Sequence, residues 1–140
     1  MSIISALKTY IGNYSSLKAN APLWVDYLEA TPTGYSIIPL AGARQVESYI
    51  SGGGAYEYPF AFQSMESTAD ELERIDTQGF YEAFASWMDS QTLTGNLPTL
   101  GTGQAATAIE ATGSAYLFEQ GNSETGVYQI QCKLSYEQQP

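Results

Sequence analysis

One stretch of the chain constrains the fold more than any other, the run AYEYPFAFQSME at residues 55–66. Aromatic side chains occupy every second position of its first half, which is the period of a β-strand and not of a helix. A strand places such residues on one face of a sheet and their neighbours on the other face. The aromatic residues are Tyr56, Tyr58, Phe60 and Phe62. The run therefore predicts a strand with one apolar face, which belongs in the core or in a subunit interface.

A second strand is predicted directly before this run. Residues 44–50 (RQVESYI) contain β-forming residue types, and the Ser51–Gly54 loop between the two strands holds three consecutive glycines. Glycine adopts the positive φ angles of hairpin turns without a Cβ clash. We therefore expect a hairpin with a glycine-rich tip.

Two segments carry helical periodicity. Apolar side chains recur at steps of three and four over residues 2–17, and again over residues 68–91. Thr68 and Glu71 fit a capping box at the start of the second segment. Apolar residues of the second segment include Leu72, Ile75, Phe80, Phe84, Trp87 and Met88. The sequence predicts an N-terminal helix and a central aromatic helix, with Gly79 marking a bend or a close approach to the sheet.

Five other segments are predicted to be strands, namely residues 24–29, 35–40, 104–111, 114–119 and 126–136. The first two flank a turn at Thr31–Gly34 and are expected to form a hairpin. Residues 93–103 are rich in glycine and proline and are expected to form a loop, and residues 137–140 a flexible tail.

These elements define the predicted fold class. Residues 1–140 form a single α+β domain, with the order α-β-β-β-β-α-β-β-β. A mainly antiparallel sheet of about five to seven strands is packed by the N-terminal helix and the central helix.

Charge and composition exclude several classes of function. Five Lys and Arg against fifteen Asp and Glu give a net charge of −10, which repels phosphate groups and anionic membranes. No apolar run is long enough for a membrane span, and Met1–Leu17 does not have the pattern of a signal peptide. We expect a cytoplasmic protein without specific nucleic-acid binding, and the lone Cys132 agrees with a reducing compartment.

The chain contains no histidine. Histidine is the usual general base near neutral pH and the commonest metal ligand, so Ser-His-Asp and Cys-His hydrolases and His-ligated zinc sites are excluded together. The expectation is a protein that is not an enzyme and holds no cofactor.

Several acidic residues are candidates for a site. A group at the start of the central helix could in principle hold a hard cation or supply a carboxylate pair, but its steps of three and four favour a solvated stripe. Its members are Glu66, Asp70, Glu71, Glu73 and Asp76. Glu47 and Glu57 are likewise assigned to the wet face of the hairpin.

Other motifs carry weaker signals. The letters G-x-G-x-x-A at residues 101–106 match a dinucleotide fingerprint, but a strand is predicted after them where a helix is required. The Ser51–Gly54 loop lacks the Gly-Lys that follows in a phosphate loop. Cys132 is expected on the apolar side of its strand, as a small buried hydrophobe. We predict no catalytic, cofactor-binding or metal-binding residues.

Three stretches carry a resemblance to a known class of proteins. They are residues 55–66, residues 80–111 and GVYQIQCKLSYEQ at residues 126–138. Together they resemble the minor capsid or tail terminator proteins of long-tailed phages and prophages of Gram-positive bacteria, over most of the chain from Pro22 onward. None of these stretches is a catalytic signature.

The resemblance implies a structural role in the virion. Tail terminators of this kind form a ring, usually of six subunits, that caps the head-proximal end of the tail tube, stops its growth and joins the neck. The implied partners are further copies of the chain, the tail tube protein and a neck or head-completion protein, in the virion and in the host cytoplasm during assembly. DNA passes through such a ring without specific binding.

The implied contacts fall on the hairpin and on two loops. We expect the sheet and the hairpin to form the closing interface between subunits, and the loop tips to contact the tube or the neck. The candidate interface residues are Arg44, Ser51, Gly52, Gly53, Gly54, Tyr56, Tyr58, Asn96, Leu97 and Pro98. Two alternatives stay open: a head-completion or neck adaptor of the same virion, and a small carboxylate-dependent hydrolase acting on a cell-wall polymer.

Overall fold

A computed structural model describes residues 2–29, 32–120 and 124–140. Over these residues it contains two helices and a mixed sheet of seven strands, so the predicted α+β class is confirmed. The elements in chain order are α1 (Ile3–Gly12), β1 (Leu23–Val25), β2 (Gly34–Pro39), β3 (Arg44–Ser48), β4 (Gly54–Ser67), α2 (Glu71–Thr94), β5 (Gln104–Ala111), β6 (Tyr116–Gln120) and β7 (Thr125–Gln138). Thr31, in the turn predicted between the first two strands, lies outside the described residues.

Two long strands form the centre of the sheet. β4 and β7 pair antiparallel along their whole length, from Gly54 with Gln138 to Ser67 with Thr125. The outer edge of β4 is shared by β3 and β2, and the outer edge of β7 is shared by β5 and β6. β3 and β5 therefore flank one end of the central pair, and β2 and β6 flank the other.

The predicted hairpin of β3 and β4 is confirmed, with Arg44 opposite Glu57. Pro59 lies, with Tyr58, between the segment of β4 that pairs with β3 and the segment that pairs with β2. Proline has no N–H to donate to a neighbouring strand. This is tolerated at Pro59 because the neighbour of β4 changes from β3 to β2 at this point. The Pro59 carbonyl still accepts a hydrogen bond from Leu40 N at 3.0 Å.

The hairpin predicted from residues 24–29 and 35–40 is wrong. β1 is three residues long and pairs with β2 in parallel, with Leu23 beside Tyr35 and Val25 beside Ile37. The chain leaves the sheet at Asp26, which has a φ of 56°. A two-residue period predicts a strand but carries no information on the direction of that strand. The parallel pair of β1 and β2 makes the sheet mixed.

Both helices are present, with different ends from those predicted. α1 ends at Gly12 and not at residue 17, although Tyr14 beyond it is still buried. α2 begins after Asp70, whose side chain accepts a hydrogen bond from Glu73 N at 2.9 Å and so replaces the predicted Thr68 cap. It ends at Thr94 and is capped by Gly95, which adopts a left-handed conformation with a φ of 76°.

The last strand is longer than predicted. β7 includes Glu137 and Gln138, which were assigned to the tail but pair with Ala55 and Gly54. Gln139 N then donates to the Gly103 carbonyl at 2.8 Å. The end of the chain thus packs beside the β3–β4 turn, at one end of the sheet.

The core lies between the helices and one face of the sheet. Phe60 and Phe62 of β4 are fully buried there, and the Phe62 ring meets Phe84 of α2 at a centroid distance of 4.6 Å. The predicted helical stripe is correct for Phe84 but not for Leu72 and Ile75, which are exposed. α2 instead buries Thr77 and Tyr81 beside Phe84 and Met88 in its inward stripe.

Gly79 does not make the close approach predicted for it. A Cβ atom built on it meets no heavy atom within 4 Å among the described residues. Neither helix of the described part of the chain combines the length and the hydropathy that a membrane span requires.

Candidate interaction surface

The sheet face opposite the helices is here called the outer face. Because side chains alternate along a strand, the outer-face residues of β4 are the neighbours of the buried phenylalanines. Those residues are Ala55, Glu57, Pro59, Ala61, Gln63, Met65 and Ser67. Cross-strand register then divides the outer face into a charged half and a half that carries no charge apart from Glu119 at its β6 edge, called here the uncharged half.

The charged half is an ion-pair row across four strands. Arg44 of β3 lies 3.3 Å from Glu57, Glu57 lies 2.9 Å from Lys133, and Lys133 lies 3.5 Å from Glu110 of β5. The hydrogen bond from Lys133 holds the pKa of Glu57 below its usual value, and the same contact raises the pKa of Lys133. Basic and acidic groups alternate along this row, so it ties the strands together and contributes little net charge.

The uncharged half is organised around buried glutamines. Gln63 Nε2 donates to Gln129 Oε1 at 2.6 Å, and Gln129 Nε2 donates to the Tyr116 hydroxyl at 2.8 Å. This amide ladder joins β4, β7 and β6. Next in the same row, on β2, the Ser36 hydroxyl is buried without a hydrogen-bond partner among the described residues.

Aromatic rings stand at both edges of the uncharged half. Trp24 of β1 lies beside Ser36 of β2, and the Trp24 ring contacts the Tyr27 ring edge-on at a centroid distance of 5.6 Å. At the β6 edge, Tyr116 and Phe118 are 6.3 Å apart. All four rings remain substantially exposed. The outer-face residues of this half are Trp24, Ser36, Ile38, Ala61, Gln63, Met65, Val127, Gln129, Gln131 and Tyr116, with the charged Glu119 opposite Val127 at the β6 edge.

The predicted hairpin tip is packed and not free. Tyr49 N donates to the Gly53 carbonyl at 3.3 Å, and Gly52 N donates to the Tyr49 carbonyl at 3.0 Å. A Cβ on Gly53 would collide with the carbonyl of Gln138, so the close approach of β7 requires glycine here. Beside it, Ile50 projects fully into solvent.

Tyr56 and Tyr58 lie on the same sheet face as the core and not on the outer face. The ring of Tyr56 stacks on Tyr136 at 5.4 Å, and Tyr58 packs against the core while remaining partly exposed. Arg44, by contrast, belongs to the charged row of the outer face. The structure therefore does not bring the predicted interface residues into one patch.

The three contact residues predicted in the loop after α2 differ in their exposure to solvent. Asn96 is exposed, its amide donates to Gln91 Oε1 at 2.6 Å, and its carbonyl accepts from the Tyr10 hydroxyl at 2.8 Å. Burial raises the pKa of Tyr10 to about 12, so this hydroxyl remains a donor at neutral pH. Leu97 packs against the core and Pro98 is buried. Of the three, Asn96 is the one available to a partner.

A cavity beside the start of α2 is lined by two carboxylates. Glu66 and Asp76 line a space of about 240 Å³ together with Lys18. Burial raises the pKa of Glu66, and hydrogen bonds from Ser64 and Thr33 and the charge of Lys18 oppose this. An acid with a raised pKa beside a second acid is the feature that a carboxylate-dependent hydrolase would need.

Other candidate chemistry is not assembled in the described residues. They contain no group of three or more His, Cys, Asp or Glu side chains placed to hold a metal ion. The segment at residues 101–106 leads into strand β5 and not into a helix, so a dinucleotide site lacks its required context. Cys132 is buried, and burial raises the pKa of its thiol, as expected of a structural cysteine.

The amide ladder and the ring pair at β6 were not predicted from the sequence. Gln63 and Gln129 lie 66 positions apart in the sequence, and their pairing becomes visible only in the register of β4 with β7. Tyr116 and Phe118 of β6 show a two-residue spacing, but the register of β6 shifts between Leu117 and Glu119, so this spacing alone does not define a shared face.

The comparisons with known proteins add no relative to this picture. A scan against protein families and a search of curated proteins find no match to the chain.

Proposed function

We propose that this chain is a tail terminator protein of a long-tailed phage or prophage of Gram-positive bacteria. In this proposal six copies form a ring at the head-proximal end of the tail tube, stop tube polymerisation and join the neck. It works in the virion, and in the host cytoplasm during assembly. The partners are copies of the chain itself, the tail tube protein and a neck protein.

The uncharged half of the outer face carries the proposal. Two copies of a chain with a net charge of −10 repel one another over most of their surface. The uncharged half contributes to that surface the exposed rings at its two edges, while Ser36, Gln63 and Gln129 between them are buried. Exposed aromatic residues grouped on one uncharged face favour an interaction surface over a solvent-facing one.

The edges of the sheet support assembly into a ring. β1 and β6 are short edge strands, and the β3–β4 hairpin extends from the opposite end of the sheet to β6. A ring requires two different complementary surfaces on each copy. The hairpin and the β6 edge supply such a pair, and an acidic lumen would let DNA pass without sticking.

The oligomeric state of the purified protein tests the proposal. We expect sedimentation velocity to show a particle with six times the 15.2 kDa subunit mass, and electron microscopy to show rings. Phe118→Ser removes one exposed ring from the β6 edge and should weaken the particle while the circular dichroism spectrum stays unchanged. Leu93→Ser is the matched control, because Leu93 is also exposed but lies in the last turn of α2.

The function at the tube needs a second measurement. Tube protein from the same genome should polymerise to shorter, capped lengths when the ring is added, and the ring should be seen at one end. A 15.2 kDa particle at high concentration, both alone and with tube protein, would contradict the proposal.

A neck adaptor is the nearest alternative, since it would use the same ring surfaces. The two roles differ in the partner that is bound first. Binding to head particles in the absence of any tube, with no effect on tube length, would favour the adaptor.

A hydrolase is favoured by one observation alone, the cavity shared by Glu66 and Asp76. Turnover of a cell-wall polymer by the purified protein, lost in both Glu66→Gln and Asp76→Asn, would support this alternative. Retention of turnover in both variants would remove these carboxylates from it.

A further inference from the structure

A groove lies between α2 and Tyr128 of β7, the residue that pairs with Leu117 of β6. It is about 450 Å³ in volume and is called here the α2–β6 groove. Its lining residues are Glu71, Arg74, Ile75, Gln78, Gly79, Glu82 and Tyr128. A second cavity of about 150 Å³ shares Gln78 and Glu82 with it and continues toward Ala115 and Ile130.

The helix side of this groove carries an exposed apolar side chain among charged and polar ones. Ile75 lines the groove and is exposed, as is Leu72 one turn before it. Gly79 lies in the interior of α2 at a helical cost of about 1 kcal/mol relative to alanine, yet no neighbouring atom excludes a Cβ. The surface beside Gly79 therefore has open space for an incoming group.

The opposite end of the sheet presents a side chain that fits such a groove. Ile50, at the tip of the β3–β4 hairpin, has a relative exposure of 109 %, and the turn that holds it is fixed by two backbone hydrogen bonds. Gly52 in the same turn packs against Pro140. A fixed tip loses little conformational entropy when it binds.

We propose that Ile50 of one copy inserts into the α2–β6 groove of the next copy. This inference rests on the proposed ring and names its subunit contact. The tip lies at the Gly54–Gln138 end of the central strand pair and the groove at the Gly126–Tyr128 end, so the contact is head-to-tail. A head-to-tail contact that closes produces a ring.

Charge favours this occupant. The tip segment Tyr49–Gly54 carries no charged side chain, so it approaches Glu71 and Glu82 at the groove without like-charge repulsion. Glu47, exposed at the foot of the hairpin, complements Arg74, the basic residue of the groove lining. Arg74 is already positioned by its 2.6 Å hydrogen bond to the Thr68 carbonyl.

The size of the contact sets the size of its effect. Full burial of one isoleucine side chain corresponds to about a tenfold to hundredfold change in a dissociation constant. A contact of this size stabilises the hexamer only if each copy both inserts its hairpin tip and binds the tip of its neighbour. The aromatic side chains of Tyr116 and Phe118 in β6 would add to the same subunit interface.

Two variants test the two sides of the contact separately. Ile50→Ser removes the inserted group, and Gly79→Leu fills the space that would receive it. We expect each to weaken assembly by about tenfold or more in sedimentation equilibrium. Gly79→Leu should raise the melting temperature of the subunit or leave it unchanged, because leucine is the better helix former. Leu93→Ser and Gly79→Ala are the controls and should assemble within about threefold of the unchanged protein.

Mixing the variants distinguishes a head-to-tail contact from a symmetric one. Ile50→Ser retains an intact groove and Gly79→Leu an intact tip, so an equimolar mixture should form dimers that cannot extend to a ring. Rings of normal affinity from either variant, or no dimer in the mixture, would overturn the proposal. If Phe118→Ser abolishes the ring while Ile50→Ser and Gly79→Leu do not, the proposed function stands and the Ile50 contact is wrong. If the unchanged protein forms no ring, the proposed function and the Ile50 contact are both wrong.

Discussion

The hydroxyl group of Tyr81 in α2 lies 2.7 Å from that of Ser64 in β4, and both side chains are buried. The Tyr81 hydroxyl also donates to the Tyr128 carbonyl of β7 at 3.3 Å. One side chain of the helix thus binds both strands of the central pair. Burial raises the pKa of Tyr81 well above its usual value, so the hydroxyl stays neutral.

Removal of this hydroxyl should therefore destabilise the fold. We expect Tyr81→Phe to lower the free energy of unfolding in urea by about 1–2 kcal/mol, because the buried contacts of this hydroxyl with Ser64 and with the Tyr128 carbonyl are both lost. Tyr27→Phe is the control, since the Tyr27 ring is largely exposed, and it should change stability by less than about 0.5 kcal/mol. Equal values for the two variants would show that the contact contributes nothing.

The carboxyl group of Glu66 should give stability a dependence on pH. Burial raises its pKa in the folded state, so the folded protein binds the proton more tightly than the unfolded chain. Its ionisation opposes folding above the raised pKa, and this penalty is absent below the unfolded value. We expect Glu66→Gln to raise the melting temperature at pH 7 and to lose this gain near pH 4.

Glu110→Gln serves as the comparison for Glu66→Gln, because Glu110 is an exposed carboxylate paired with Lys133. A gain for Glu66→Gln that is the same at pH 7 and pH 4 would contradict the assigned role of burial.

The amide ladder should behave as a coupled unit. Gln63→Leu leaves Gln129 Oε1 without its donor and should cost about 1–3 kcal/mol in the free energy of unfolding. The double variant, with leucine also at position 129, replaces both buried partners by apolar groups and should cost less than the sum of the single changes. Additive costs in urea denaturation would exclude coupling through the 2.6 Å hydrogen bond.

The thiol of Cys132 should be inaccessible in the native protein. It is buried among core residues, and burial raises its pKa, so little thiolate forms at neutral pH. We expect a disulfide reagent to label the native protein only as it unfolds, and to label one thiol per chain at once in urea. Immediate labelling without denaturant would place Cys132 at a surface.

Several parts of the fold could be predicted because they depend on local patterns. The alternation in β4 and β7 and the glycine-rich turn before β4 each have a physical cause within a few neighbouring residues. The parallel pairing of β1 with β2 could not be predicted, because three residues with a period of two leave the strand direction open. Leu72 and Ile75 follow the same spacing as Phe84, and only the packing of α2 separates exposed from buried positions.

The surface features depended on contacts distant in sequence. The ion-pair row combines Arg44, Glu57, Lys133 and Glu110 from four different strands. The groove beside Gly79 lies between α2 and Tyr128 of β7, a juxtaposition that no local pattern reports. The aromatic spacing in β4 predicts the face of the sheet that packs in the core. The register of β4 with β7 is needed to identify the residues of the opposite, outer face.

The full-length pairing of β4 with β7 also governs how the chain reaches this structure. Every contact in that pair joins residues more than about fifty positions apart, so the entropy of closing a long loop precedes any gain from the central pairing. During synthesis Phe60 and Phe62 leave the ribosome well before the strand that completes their layer. A nascent chain must therefore keep an unmatched apolar edge soluble until Gln138 has emerged, and chaperone binding to β4 is expected in that interval.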